Sequence, residues 1–488
     1  MTDQNNRPAS LQLVWLRRDL RSRDNKAIYY ASQHENKNSS VVCVWFSFPE
    51  QWQEHHDSSN KIHFWLENIK TLDKNLAVFN IPLITRTLSR YSDASAALID
   101  LAKRLGVAGL WFNDEYGINE QRRDTEVEHS FQQAGIPCHR FTDDVLVKPG
   151  SLLNKQHKPF KVFTPFRKAL YASLNLQDAL PLPAPEKQQP ITINLSSDNL
   201  LDIQPTATIR DFWPTGERAA HEALQEFVAE RSENYKKDRD FPAQNGTSIL
   251  SPCLTAGTLS IRQCFTTALQ GNDGELDTGS SGLVTWISEL IWREFYRHIL
   301  VCFPRVSMGK AFKEETERLP WKHDKSLLNA WQEGRTGVPI VDAAMRQLVT
   351  TGWMHNRLRM VVAMYLSKDL RLDWRLGEQF FMEHLIDGDL ASNNGGWQWA
   401  ASTGTDAAPY FRMFNPVSQS EKFDPDGEFL REWLPELREV DDKTIHNPSA
   451  SDTLFYDESV YPKPIVDHKR AREATLTAFK RLKSEGQP

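Results

Sequence analysis

Cysteine is scarce in this chain. The five cysteines, at 43, 138, 253, 264 and 302, form no C-x-x-C pair. That excludes a cysteine-rich zinc module and argues for a reducing compartment rather than a disulfide framework. None of the fourteen histidines forms an H-x-x-H or H-E-x-x-H pair, so no metal is expected. No apolar run is long enough to span a membrane, and the polar first residues do not read as a signal peptide. A cytoplasmic protein is therefore expected. No G-x-G-x-x-G follows the first apolar run, where the chain turns instead through Arg17-Arg18-Asp19-Leu20-Arg21, so NAD binding is not expected there. Positive charge is not in excess either: 58 Lys and Arg against 64 Asp and Glu give a net −6. Any nucleic-acid contact must come from a local basic surface.

What is present is enough for two or three domains: 488 residues, 40% hydrophobic and 25% charged. Leu11–Trp15, Val41–Phe48, Ile81–Arg86 and Gly109–Asn113 are short β-rich runs. Helical patterns at Lys61–Phe79 and Ala94–Leu105 separate them. Such alternation predicts a Rossmann-like α/β domain with a parallel sheet, over residues 1–140. Six prolines between Pro181 and Pro214 mark a connector, assigned to 141–216. From Glu217 helical patterning dominates, which predicts an all-α domain over 217–488. Ser260-x-x-Gln263 reads as a capping box, and Pro339 as the first residue of a helix.

The densest chemistry lies in Leu385 to Trp399. This run holds Asp387, Gly388, Asp389, Asn393, Asn394, a Gly395-Gly396 break and two tryptophans. Buried carboxylates and amides are costly without partners, and a core segment has no need of the mixture. It suits a flat redox-active ring with polar edges. Trp286 to Leu300 is expected as a helix with Ile287, Ile291, Phe295 and Ile299 on its core stripe. Glu289, Trp292, Arg293 and Tyr296 share a second stripe, which is either solvated surface or a face that stacks on a base and holds a phosphate. A second helix follows Gly352, with Leu358, Val361, Val362, Tyr365 and Leu366 as core. Asn356, Met360 and Ala363 share another face, beside Arg357 and Arg359. Lys368, Arg371 and Arg375 extend the positive character, either as a solvated face or along a phosphate backbone. Gly246-Thr247-Ser248-Ile249-Leu250-Ser251, after Tyr235 and Arg239, is either a cap and loop or a pyrophosphate cradle. His355 and His384 read as hydrogen-bonded structural histidines. Of the 15 tryptophans nine lie at or beyond Trp286. Trp321, Trp374 and Trp397 are candidates for a stepwise electron path.

Long colinear stretches closely resemble the photolyase/cryptochrome family, and within it the class I cyclobutane pyrimidine dimer photolyases. They are Val14 to Arg21, Asn119 to Asp124, Trp286 to His298, Gly334 to Asp342, Thr351 to Met360 and Asp387 to Pro416. The resemblance implies an antenna domain followed by a helical domain holding FAD, and light-driven electron donation to a dimer in UV-damaged DNA. By position, Tyr235, Thr247, Ser248, Ile249, Leu250, Ser251, Trp286, Arg359, Asp387, Gly388, Asp389 and Asn393 would bind FAD, with Asn393 facing flavin N5. Trp397 and Trp374 match the inner electron chain and Trp321 its surface end. Glu289, Trp292, Asn356, Met360 and Trp399 match the pocket for the flipped dimer, and Tyr296 is counted with the DNA-binding residues. There Glu289 would hydrogen-bond a thymine carbonyl as the protonated acid. Arg239, Arg293, Arg357, Arg412 and Lys422 match the phosphate-facing surface. Asn119 and Glu120 match residues that hold a 5,10-methenyltetrahydrofolate antenna. Folate binders of this kind carry Cys-Lys near Ser307-Met308, so Lys310 as a substitute, a deazaflavin, or no antenna are the alternatives. Asn at 393 is the photolyase residue where plant-type cryptochromes carry Asp. The (6-4) photolyases carry a His pair where this chain has His355-Asn356. A monomer that binds DNA and no membrane is expected.

Overall fold

The computed structural model describes residues 10–37, 39–205, 212–450 and 459–484. Within the expected domains and connector, residues 1–9, 38, 206–211, 451–458 and 485–488 lie outside the described residues. Five parallel strands form one sheet: β1 (Ser10–Leu16), β2 (Ser39–Ser47), β3 (Leu83–Thr87), β4 (Gly109–Asn113) and β5 (Cys138–Phe141). Their order is β3-β2-β1-β4-β5. The four sequence-predicted strands are present. The fifth is a four-residue edge strand whose sequence, Cys-His-Arg-Phe, has neither a continuous apolar run nor the length to stand out. The helices Lys26–Lys37, Ser59–Val78, Ala94–Leu105 and Ile118–Gln133 make the crossovers. Local chemistry sets their ends. Ser58 Oγ accepts from Lys61 N at 3.0 Å, and Gly106 closes the third of these helices in the left-handed conformation, φ +64°.

Strand order reverses between β1 and β4, where an α/β sheet usually opens a crevice. Here hydrogen bonds and an ion pair occupy it. Arg17 donates to Asn113 O, Arg18 Nε meets Glu115 Oε1 at 2.7 Å, and Asn113 Nδ2 donates to Asp19 Oδ2 at 2.7 Å. The helical domain closes over this end. Leu20 N donates to Ala256 O at 3.2 Å, and a Cβ on Gly257 would lie 2.1 Å from Arg18 O, so only glycine permits the approach. Arg262, 1% exposed, reaches from the helical side to Asp24 Oδ1 at 2.9 Å and Asp143 Oδ1 at 2.6 Å.

Within the connector, residues 188–198 lie along the β3 edge. Gln188 Nε2 donates to Val41 O and Asn80 O at 3.0 and 2.8 Å, and Asp198 N donates to Thr85 O at 2.9 Å. An exposed edge would otherwise offer unpaired backbone groups to another chain.

The helical domain is built around Ser281–Cys302, whose Ile287, Ile291, Phe295 and Ile299 are buried as the periodicity predicts. The Ser260–Gln263 capping box is present, and Pro339 begins the helix Pro339–Thr351. Next comes Asn356–Met364, capped by His355, whose Nδ1 accepts from Arg357 N at 3.2 Å. Burial pushes that imidazole down to about 4, which keeps it neutral and able to accept. The helix continues as a π-turn, Tyr365–Asp369. This turn breaks the expected basic stripe. Lys368 becomes fully buried and donates to Arg412 O at 2.9 Å, while Arg375 pairs with Asp373 and Glu317.

A second correction concerns Gly395-Gly396. No break occurs there, because both lie inside the helix Leu390–Ala401. A Cβ on Gly395 would sit 2.3 Å from Tyr296 Cδ1, so this glycine lets two helices pack closely. Among the described residues no helix is long and apolar enough to cross a membrane, and no His/Cys/Asp/Glu group could hold a metal.

Candidate functional site

A cavity of about 470 Å³ opens in the helical domain, between Ser281–Cys302, Asn356–Met364 and Leu390–Ala401. Both sequence-predicted stripes face it. Glu289, Trp292, Arg293 and Tyr296 come from the first helix, and Asn356, Met360 and Ala363 from the second. Tyr235, Arg239, Ser248, Leu250, Ser251, Trp286, Arg359, Asp387, Asp389, Asn393, Trp397 and Trp399 complete the predicted set on its walls. A helical stripe that looks half polar in sequence is thus a wall of the site.

Polar groups divide the cavity. Arg359 Nη2 binds Asp387 at 2.8 and 3.1 Å, and its Nε donates to Met354 O at 2.8 Å, so the guanidinium is fixed from two sides. Asp389 caps Leu390–Ala401 by accepting from Ser392 N at 3.0 Å. Burial alone would raise its carboxyl, but Arg297, Arg18 and Arg293 outweigh burial and hold it well below the usual range. Arg297 spans Asp144 Oδ2 at 2.6 Å and Asp389 Oδ1 at 3.3 Å. Asn393 Nδ2 donates to Glu378 O at 2.9 Å, and Asn394 Nδ2 to Glu378 Oε1 at 2.8 Å. Burial pushes Glu378 up to about 7. Trp286 Nε1 donates to Ser248 Oγ at 3.3 Å, orienting the Gly246–Ser251 loop, where Ile249 takes φ +52°.

The other end is aromatic. Trp292 stacks on Phe163 with centroids 3.8 Å apart and lies 5.6 Å from Tyr296. Glu289 Oε1 accepts from Arg239 Nη1 at 2.5 Å.

Several predicted residues lie elsewhere. Thr247 turns its carbonyl to Arg231 Nη1 at 2.6 Å, and Gly388 turns its carbonyl to Lys61 Nζ at 2.8 Å. Arg293 is not on an outer phosphate-facing surface. It lines the cavity and is held by Asp144, because burial favours a paired guanidinium. Arg357 pairs with Asp240 at 2.8 Å and lies 4.4 Å over Phe423, with Lys422 on the same ring at 5.0 Å. Arg412 and Lys422 are exposed. Trp397 and Trp374 are buried, while Trp321 is half-buried on the segment whose Lys322 N donates to Arg371 O at 2.8 Å. Asn119 Nδ2 lies 3.0 Å from His55 Nε2, and Glu120 Oε1 accepts from Tyr91 OH at 3.4 Å. Ser307 Oγ accepts from Ile118 N at 2.9 Å, which puts Ser307 beside them. His384 is structural, its Nδ1 2.8 Å from Phe380 O.

Sequence reasoning missed Arg297, Asp144, Glu378 and Phe163. Arg297 follows Arg293 by one helical turn and could have been found on that spacing. The others come from segments that only the fold brings near.

FAD fits these residues. The cavity has an apolar middle, a fixed Arg359–Asp387 pair, a carboxamide at Asn393, and Gly396, whose missing side chain leaves open space with no atom within 4 Å.

Residues 286–481 match the family described as FAD binding domain of DNA photolyase, and residues 12–186 match DNA photolyase. The deoxyribodipyrimidine photo-lyase of Escherichia coli K12 is 43% identical, covering 96% of this chain and 98% of its own. That of Vibrio cholerae is 42% identical, covering 97% and 100%. Among solved structures, a class III photolyase from Agrobacterium tumefaciens superposes with TM-score 0.87 at 32% identity, over 99% of this chain and 100% of its own. A cryptochrome from Synechocystis gives TM-score 0.83 at 25% identity, over 97% and 100%. Sequence along the full length, fold and cavity agree, and the chain belongs to the DNA photolyase family.

Proposed function

We infer that this chain is a light-dependent DNA repair enzyme that splits cyclobutane pyrimidine dimers. One observation carries the reading: Glu289, Trp292, Asn356, Met360 and Trp399 line the same cavity as Arg359, Asp387, Asp389 and Asn393. On this reading the damage-reading groups and the flavin-holding groups share one site. When bound there, reduced FAD supplies the excited-state electron that splits the cyclobutane and is then recovered.

The chain's own residues do the rest. Trp292 and Trp399 offer flat apolar faces to a dimer that has left the stack, a step cheaper at a damaged site. Glu289, released from Arg239 and protonated, donates to a thymine carbonyl where negative charge develops; a preorganised donor of this kind is worth about 3 kcal/mol. Asn393, whose Nδ2 donates to Glu378 O, would offer a neutral amide to the flavin ring. The Arg359–Asp387 pair would hold the polar edge of the ring. Arg357, Arg412 and Lys422 meet the phosphate backbone. Residues 1–140 form the antenna domain, 141–216 the connector and 217–488 the catalytic domain. We assign a methenyltetrahydrofolate antenna to Asn119 and Glu120, with a deazaflavin or no antenna as alternatives, and a monomeric, cytoplasmic enzyme.

The test is repair of UV-irradiated oligothymidine by the purified protein under blue or near-UV light, with a dark control. Light-dependent restoration is expected. Light-dependent flavin changes without repair would indicate a cryptochrome-type photoreceptor, and repair of (6-4) products alone would indicate the other photolyase class. The chromophores released on denaturation identify the antenna by absorption.

A further inference from the structure

Two distant segments meet beside the cavity mouth. Thr405 Oγ1 donates to Lys161 O at 2.7 Å, and Phe163 N donates to Asp406 Oδ2 at 3.0 Å. These bonds strap the start of the helix Phe163–Ser173 to the loop after Leu390–Ala401. Phe163 is only 6% exposed. Its ring lies parallel to the Trp292 indole, 3.8 Å away with 8° between planes, and edge-on to Phe295 at 6.0 Å. Arg167, one turn on, places its guanidinium 5.9 Å from the Phe163 ring and donates to Ser288 Oγ at 3.2 Å, on the helix that carries Trp292. One face of Trp292 is therefore fully backed while the indole still lines the cavity. Trp399 lines the same cavity six residues before Thr405. The strap thus joins the residue behind Trp292 to the segment that bears Trp399.

We propose that Phe163 is a positioning residue for damage recognition: it fixes the plane of Trp292 and, through Thr405 and Asp406, its separation from Trp399, so that the cavity accepts the joined pyrimidine pair over undamaged bases. The proposal rests on the dimer-binding role inferred above. A lone indole at a cavity wall can tilt about its side-chain torsions. A parallel aromatic partner at van der Waals distance removes that freedom before the substrate arrives, and stacking of this kind is worth about 3- to 10-fold in affinity.

The experiment separates a flat ring from mere filling, using FAD-loaded full-length protein and duplexes with and without one thymine dimer. Phe163→Leu keeps apolar bulk but loses the plane; Phe163→Tyr keeps the plane. Phe163→Leu should weaken binding of the damaged duplex about 5- to 10-fold, with affinity for intact duplex, salt slope and turnover at saturating substrate unchanged. Phe163→Tyr should bind as the parent does. FAD content and melting temperature check integrity, and should Phe163→Leu fold poorly, Thr405→Val weakens the strap alone and should show a smaller loss of the same kind. Trp292→Ala is the reference. If it weakens damage binding while Phe163→Leu and Thr405→Val do not, the positioning role is overturned. If Trp292→Ala has no effect, the reading of the site fails and the proposal with it.

Discussion

Gly377 and Trp397 compete for the same space. A Cβ on Gly377 would lie 2.1 Å from Cη2 of the Trp397 indole and within 2.7 Å of two further ring carbons. The helix Trp374–His384 can therefore press its backbone onto the indole only because position 377 has no side chain. The ring also meets Phe381 at 5.0 Å and Trp331 at 6.0 Å, both edge-on, which limits its retreat. Gly377→Ala should cost about 1–3 kcal/mol through overpacking. It should also slow photoreduction of oxidised FAD by shifting Trp397. A variant with parental melting temperature and photoreduction rate would mean that the neighbours yield without moving the indole.

Trp397, Trp374 and Trp321 form a second test. Trp374 and Trp397 are buried, and neither indole N–H has a hydrogen-bond partner among the described residues. On the electron-path reading, a hole on such a ring would find no acceptor for its proton and would pass to another indole of the path. Phe at 397, 374 or 321 should slow photoreduction of oxidised FAD. Repair by chemically pre-reduced enzyme should persist, because that reaction draws no outside electron. Transient absorption of each variant measures the first effect and an illuminated repair assay the second; normal photoreduction in Trp397→Phe would remove Trp397 from the path.

The carboxyl of Glu378 predicts a pH dependence. Burial pushes it up to about 7, offset only in part by the Asn394 amide and Arg375. The native state therefore holds the proton more tightly than the unfolded chain does. Below the unfolded value, about 4.3, the group costs nothing. As pH rises from there to about 7, stability is lost, and above it the loss is constant. Glu378→Gln keeps an acceptor for Asn394 and does not titrate. It should match the parent near pH 4 and exceed it by ~1–3 kcal/mol near pH 8, by chemical denaturation. A constant difference across that range would show that Glu378 does not titrate with folding.

Arg357 and Trp292 should separate backbone binding from damage reading. Arg357, held by Asp240 and Phe423 in the free protein, adds one released counterion when it turns to a phosphate. Arg357→Ala should weaken binding to damaged and intact duplex alike and flatten the slope of log affinity against log salt by about one. Trp292→Ala should cost ~1–3 kcal/mol on damaged DNA alone and leave the slope intact. Identical salt titrations for the two variants would contradict this division.

The sheet and the two helical stripes were legible because each rests on local periodicity. Glu289, Trp292, Arg293 and Tyr296 were placed on one face by spacing alone, and one face is what lines the cavity. Gly395-Gly396 was misread because glycine has two uses, ending a helix or letting one approach another, and Tyr296 decides which. Lys368 was misread because a π-turn rotates it from the surface into the core. Phe163 and Asp144 carry no local signal. Their importance comes from what the connector brings to Trp292, Arg293 and Arg297.

The Arg262 seam also bears on heredity. Asp24 and Asp143 come from the first part of the chain and their guanidinium from the second. Either part expressed alone would carry half of a buried charge set, and removing one partner from such a set leaves an uncompensated charge. A chimera that joins the sheet of one relative to the helices of another should therefore lose stability unless the two pieces together supply Asp24, Asp143, Arg262 and a glycine at position 257.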